Sequence, residues 1–252
     1  MSVKDFIETT SVFTIEEFKT AFPTVTGYNL LMRAAKAGKV LRVTRGVYAS
    51  STGRYKGVKQ DRFRIASKLA SNVIFAYHSA LELHGVAHST SSRVQYYSAI
   101  KRKAIEFQGN YFKQYQPDDE SLMIQTIRAT AYGSVSVTTK EQTLLDCLSN
   151  IGRGGGVEEV LRSISGFPYI DVSEVKERAV FLSSSTIARI GWVLEQKREK
   201  WNVAEKDMQD LQSMLVGGAY RFVSEVQQKA GWSNRWRLIL PNAEDDMKEW
   251  VL

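Results

Sequence analysis

An α+β fold is what this sequence predicts, on three observations. The opening stretch alternates short amphipathic segments with capping residues and ends in a glycine hairpin. Residues 93–137 hold short β-type runs separated by turn signals. From residue 139 to about residue 215 the apolar side chains recur with a period near 3.6, as in amphipathic helices. An apolar content of 43% over 252 residues is enough for a buried core and for two domains. The expected division is an N-terminal domain over 1–55 and a mixed α/β domain over 56–252, sheet-rich in 60–138 and mainly helical in 139–252.

Composition narrows the function. Cys147 is the single cysteine, which excludes an internal disulfide framework and suits a reducing compartment. No run approaches the roughly 18 apolar residues of a membrane span, so no membrane partner is expected. The N-terminus, MSVKDFIETTSVF, carries acids and lacks the apolar core of a signal peptide, which makes the cytoplasm the expected location. The net charge is +7, and its placement is uneven. Residues 1–60 hold ten Lys/Arg against four Asp/Glu, a balance of +6, whereas residues 61–252 hold twenty-four against twenty-three, a balance of +1. A basic unit on a near-neutral body points to a polyanion partner for that unit.

Each element of the first unit has a local reason. Val3–Glu8 reads as a short helix. Thr14 and Glu17 fit a capping box, and Phe13 and Phe18 have the spacing of a hydrophobic staple. That helix should run to about Phe22, with Pro23 beyond its end. Thr26 is the expected N-cap of the next helix, which places Leu30, Leu31, Ala34 and Ala37 on one face and Asn29, Met32, Arg33 and Lys36 on the other. Gly38 fits a left-handed C-cap. Val40–Val43 and Val47–Ala49 then read as strands around the turn Thr44-Arg45-Gly46. Short helices followed by a basic hairpin are the plan of a winged helix-turn-helix.

In that plan the exposed helix face enters the major groove. Asn29 suits adenine and Arg33 suits guanine, each by a bidentate pair. Thr26 and Tyr28 near the helix N-terminus, and Lys36 farther along, suit phosphates. Arg42, Thr44 and Arg45 on the hairpin suit phosphates or a narrow minor groove. No acidic residue occurs from Thr26 through Gly46. Lys101, Arg102 and Lys103, at a turn between two strands, form a possible secondary nucleic-acid contact.

Beyond a Ser50–Gln60 linker the reading is coarser. Asp61–Ala70 is an expected helix, with Phe63, Ile65, Ala66 and Leu69 as its apolar set, and Val73–Phe75 a short strand. Ser79 and Glu82 read as a second capping box, ended by Gly85. His78, His84 and His88 cluster in sequence, but Gly85 interrupts any common helix face, so no metal is expected; a histidine near a helix end is more often held by the helix dipole. Arg93–Tyr97, Ala104–Phe107, Asn110–Gln114, Leu122–Arg128 and Ser134–Val137 suggest a mostly antiparallel sheet. Thr138 and Glu141 read as a third capping box, on a helix that buries Leu144, Leu145, Leu148 and Ile151 and turns Asp146 away. Gly152–Gly156 lacks the Lys-Ser/Thr of a phosphate loop and reads as a connection between helices. Val157–Ile164, Val172–Phe181, Thr186–Glu199 and Glu205–Leu215 follow as helices, then short strands at Tyr220–Val223 and Trp236–Leu240. The five tryptophans all lie after residue 190, as core packing or, where exposed, a partner anchor.

Three segments together carry a family resemblance: AAKAGKVLRVTRGVYAS, then VIFAYHSALELHG, then VSVTTKEQTLLDCLSN. In that order and spacing they resemble the AbiEi family of antitoxins and transcriptional regulators from bacterial abortive-infection loci, over about residues 5–195. Gln142 departs from the basic residue expected there, and nothing after about residue 200 is covered by the resemblance. The resemblance implies a winged helix that represses its own operon by binding promoter inverted repeats, with pairs of protomers on the repeat. It also implies a C-terminal domain that opposes a nucleotidyltransferase toxin, as in a type IV toxin–antitoxin system used in phage defence. It implies no enzymatic activity and no cofactor, and it leaves open whether the two proteins touch. Carried over by position, the DNA contacts fall on Thr26–Lys36 and Arg42–Arg45. Two other classes compete. A nuclease-like enzyme would need the acids Asp118, Asp119 and Glu120, or Asp171, Glu174 and Glu177 with Lys176. A protein-binding adaptor would make the basic unit incidental.

Overall fold

The structure is a computed structural model, and it describes residues 1–99, 101–117, 124–129, 133–224 and 230–251. In chain order the elements are α1 (Val3–Thr9), β1 (Val12–Thr14), α2 (Ile15–Ala21), α3 (Val25–Lys36), β2 (Val40–Thr44), β3 (Val47–Ser50), α4 (Arg62–Ser67), β4 (Ile74–Phe75) and α5 (Tyr77–Leu83). Then come β5 (Arg93–Tyr97), β6 (Ile105–Phe107), β7 (Asn110–Tyr115), β8 (Ile124–Ala129) and β9 (Gly133–Thr138). The last stretch holds α6 (Lys140–Ser149), α7 (Val157–Ser165), α8 (Val172–Ala179), α9 (Ser184–Gln196), α10 (Glu205–Ser213), β10 (Tyr220–Arg221), β11 (Gly231–Ser233), β12 (Leu238–Leu240) and α11 (Glu244–Val251). The fold is α+β, with strands in the orders β1-β3-β2, β6-β7-β5-β4-β9-β8 and β10-β12-β11. Among the described residues no helix is long and apolar enough to cross a membrane.

Two compact units make up the chain. One comprises Met1–Ile74, Ser92–Asp118 and Arg128–Val135; the other comprises Phe75–Ser91, Asp119–Ile127 and Ser136–Leu252. The sequence-based break at 55/56 falls inside the first unit.

In the first unit the expected capping logic holds at α2. Thr14 Oγ accepts from the Glu17 N–H at 3.1 Å, and Glu17 accepts from the Thr14 N–H at 2.9 Å. A second box caps α1, where Ser2 and Asp5 exchange the same pair of bonds. Phe6, Phe13 and Phe18 are buried together, and Phe22 packs against them. Phe6 meets each of the other three rings edge-on at centroid distances of 5.1–5.6 Å. Edge-to-face pairs of this kind add about 0.5–1.5 kcal/mol beyond area burial. This cluster, with Leu31 and Tyr48, seats α3 on α1 and the small sheet. β1 was not legible in the sequence: it is three residues long, and only its pairing with β3 (Phe13 opposite Tyr48) makes it a strand.

α3 corrects three expectations. Its N-cap is Thr24, whose Oγ accepts from the Gly27 N–H at 3.1 Å, so Thr26 lies within the first turn. Leu30 is 41% exposed, because Leu31 already fills the one apolar seat. Met32 leans against the phenylalanine cluster instead of standing on the open face. The end of the helix is as expected: Lys39 N–H bonds Ala34 O at 2.9 Å, Gly38 N–H bonds Ala35 O at 3.1 Å, and Gly38 takes φ +69°. That is a Schellman motif. β2 and β3 pair antiparallel, with Arg45 and Gly46 (φ +83°) as the turn between Thr44 and Val47.

The sheet of β5–β7 differs from the antiparallel expectation. β6 and β7 pair antiparallel, but β5 and β7 are parallel, with Val94 opposite Phe112. The helix expected over 61–70 is shorter, with Asp61 as its N-cap at 2.8 Å from the Arg64 N–H. Leu122, and with it the start of the run expected there, lies outside the described residues.

In the second unit two expected capping boxes do not form. α5 begins at Tyr77 with no side-chain cap, so Ser79 and Glu82 are inside the helix, and Glu82 binds His78 instead. At α6 the cap is Thr139, which accepts from Gln142 N–H, while Thr138 belongs to β9 and bonds Thr143. Glu141 is therefore free to accept from the Asp171 N–H at 2.9 Å. Asp146 is buried and accepts from Gln142 Nε2 at 2.8 Å, so it does not turn to solvent. Gly152–Gly156 connects α6 to α7 as expected. The core runs through α6–α10 and the β10-β12-β11 sheet and buries Trp192, Trp201 and Trp236. Trp232 is 44% exposed. β11 and α11 were not expected from the sequence.

Candidate nucleic-acid interface

The amphipathic register of α3 decides which of its side chains point outward. Gly27 and Leu31 are buried, and Thr26, Tyr28, Asn29, Arg33 and Lys36 are exposed. The alternation in β2 buries Val43 and exposes Arg42; Thr44 is half-buried, and Arg45 stands exposed in the turn. All eight residues expected to touch DNA thus lie on α3 or the β2–β3 hairpin, seven of them exposed. The first unit also holds Lys101, Arg102 and Lys103, exposed in the segment before β6.

A cleft of about 700 Å³ opens beside this face. Lys19 of α2, Tyr28 of α3, Arg42, Arg45 and Arg102 line it, with Glu16 as its carboxylate. Among the described residues Lys19, Arg33, Lys36, Arg45 and Arg102 have no side-chain hydrogen-bond or ion-pair partner. Arg42 Nε donates to Thr44 O at 3.4 Å, a long bond that holds its guanidinium along the hairpin. Glu17 does not compensate the cleft, because it already caps α2 and pairs with Lys68. Burial pushes the Glu17 pKa up, but the bonds from Lys68 and Thr14 more than offset this and hold it below the ordinary value. Cations left unpaired around an open cleft make a local positive potential suited to a polyanion.

Arg102 is the member whose place in the cleft the sequence did not show. Its N–H donates to Gln114 Oε1 at 3.3 Å, and Gln114 Nε2 donates to Ser98 O and Tyr115 O, each at 2.7 Å. A buried glutamine on β7 thus holds the backbone at Ser98 and at Arg102. The signal lay in the basic triplet; its neighbours depend on long-range pairing.

The other sequence candidates are drawn into structure. The ring of His78 and the N–H of His88 meet at Glu159, while His84 is held elsewhere. His84 Nε2 bonds Thr138 O at 2.8 Å, and burial sets its pKa below the ordinary value. His84 is also the C-cap of α5, the helix-end position expected for a histidine here. His78 lies between two carboxylates, with Nδ1 3.1 Å from Glu82 and Nε2 3.1 Å from Glu159. Burial pulls its pKa down, but Glu82 and then Glu159 more than offset this, so it stands above the ordinary value. Glu159 also accepts from the N–H groups of His88 and Ser89 and from the hydroxyls of Ser89 and Ser163. Of the acids an enzyme would use, Asp171 caps α8, while Asp118, Asp119 and Glu120 lie outside the described residues. Lys176 pairs with Asp207 and Asp210 at 2.7 and 2.8 Å.

No protein-family model and no curated protein matches the chain. Among solved structures, the crystal structure of the RV2827C protein from Mycobacterium tuberculosis is similar, with a TM-score of 0.69 and 13% sequence identity over 94% of this chain and 89% of that one. At that identity the likeness is one of fold.

Proposed function

We propose that the chain is a DNA-binding antitoxin-type regulator that represses its own operon. The order α1-β1-α2-α3-β2-β3, with β1 beside β3, supports reading its opening as a winged helix. α3 is then the recognition helix and the β2–β3 turn the wing. The observation that carries the reading is the exposed set Asn29, Arg33, Lys36 and Arg45, none of which has a side-chain hydrogen-bond or ion-pair partner among the described residues. Asn29 and Arg33 would read base edges. Thr26, Tyr28, Lys36, Arg42, Thr44 and Arg45 would hold phosphates and fix the register. The operator would be an inverted repeat read by paired protomers. The antitoxin half rests on the three-segment resemblance to the AbiEi family, with a nucleotidyltransferase toxin as functional partner and the second unit as the seat of antitoxicity.

Binding of the full chain to the DNA upstream of its gene, measured by gel shift, tests the regulator half. A sequence-specific shift weakened by Arg33→Ala is expected; no preference for that DNA over a scrambled duplex would sink it. Co-expression with a nucleotidyltransferase toxin of the kind the resemblance implies tests the other half: growth should be restored, including by variants that no longer bind DNA, and no rescue would sink it.

A further inference from the structure

The cleft continues past the hairpin. Beyond its 700 Å³ arm, a second arm of about 400 Å³ is lined by Ser67, Lys68 and again by Arg45 and Arg102. These two arginines come from distant parts of the chain and line both arms. Among the described residues neither guanidinium has a hydrogen-bond or ion-pair partner; the Arg102 charge acts on the buried Tyr96 phenol, whose pKa burial raises and Arg102 partly lowers. Lys68 is neutralised by Glu17, and Glu16 is the remaining carboxylate common to both arms. Arg45 and Arg102 are thus the cations common to both arms, with Lys19 and Arg42 adding positive charge in the first. Folding has brought two like charges to one groove at an electrostatic cost, and a bridging anion would remove it. A planar guanidinium matches phosphate geometry better than any other side chain, and two flanking one phosphate make a stronger seat than either alone. Both arms are open to solvent, which suits a polymer backbone. Gln114 holds the Arg102 backbone in place, so little ordering is left to binding.

We infer that Arg102 is a DNA-contacting residue: the groove seats the sugar–phosphate backbone of the duplex bound by α3 and the hairpin, with one phosphate between Arg45 and Arg102. The inference rests on the DNA-binding reading above. It extends the interface beyond the N-terminal elements, and it selects Arg102 from a triplet in which Lys101 and Lys103 line neither arm.

The test is fluorescence-anisotropy titration of the full chain with its promoter duplex and with a scrambled duplex, each over a range of salt. Arg102→Ala should weaken both duplexes alike, by roughly three- to tenfold at low salt, and lower the slope of log affinity against log salt by about 1. Arg102→Lys should keep the slope, and Lys103→Ala should change neither quantity. Thermal melting of each variant establishes that it is folded. An Arg102→Ala protein that binds like the wild type, while Arg33→Ala is weakened, overturns the phosphate seat and leaves the DNA reading standing. So does a Lys103→Ala protein that loses as much as Arg102→Ala. A wild-type chain that binds neither duplex overturns both.

Discussion

On α3 and the hairpin of the first unit, Arg33, Lys36 and Arg45 stand exposed with no hydrogen-bond or ion-pair partner among the described residues. In the second unit His78 is held between Glu82 and Glu159, Lys176 between Asp207 and Asp210, and Arg235 between Glu195 and Glu205. The same residue types serve opposite ends. Paired charges in the second unit fix how helices and loops meet: Glu159 ties α7 to His78 and, with Ser163, to the 88–89 segment. Unpaired charges on the first unit contribute little to folding and remain available to a ligand. Removing a charge should therefore change stability in the second unit and binding in the first.

The largest effect should come from packing in the second unit. A Cβ at Gly191 would lie 2.1 Å from the Trp236 ring, which is fully buried and donates its indole N–H to Glu195 at 2.8 Å. Gly191→Ala should cost about 3 kcal/mol or more of unfolding free energy, read from denaturant melts. Glu159→Ala comes next. It strips acceptors from His78, Ser89 and Ser163 and should cost about 2–3 kcal/mol. Stability within about 0.5 kcal/mol of wild type would break the contrast, because this carboxylate would then be no more structural than Arg33.

Arg33→Ala should do the reverse. Operator affinity should fall by about 1–3 kcal/mol, with the melting midpoint nearly unchanged. A destabilised variant with normal affinity would place Arg33 among the folding contacts. The smallest effect is a pH dependence in the second unit. The folded-state pKa of His78 is raised, so its contribution is complete below the ordinary histidine value and is lost as pH rises through the raised one. For Glu159 burial acts upward, but the bonds from Ser89 and Ser163 and the charge of His78 hold its pKa down, so its contribution is lost as pH falls through that lowered value. Stability should be greatest between the two. Denaturant melts from about pH 4 to about pH 9 should show an alkaline decline in the wild type that is reduced in His78→Gln.

What the sequence made legible was local. Thr14 and Glu17 cap α2 as read, Gly38 stops α3, and the period of α3 places Asn29, Arg33 and Lys36 outside because a two-turn apolar stripe leaves them nowhere else to point. The same local pattern misled where tertiary partners competed. Glu82 was taken by His78 and Glu141 by Asp171, so neither completed its capping box. Thr138 and Thr139 both fit the cap position; β9 claimed the first and left the second. Parallel pairing of β5 with β7 and the presence of Arg102 and Arg45 in one cleft depend on contacts between distant segments, which no window of sequence contains.

The most direct measurement is the salt dependence of binding by the full chain to its own promoter DNA, compared between wild type and Arg45→Ala. Unpaired cations that hold phosphates predict a steep negative slope that becomes shallower by about 1 in the variant. A slope that is flat, or that is the same in both proteins, would contradict the claim that the free charges of the first unit are there for DNA.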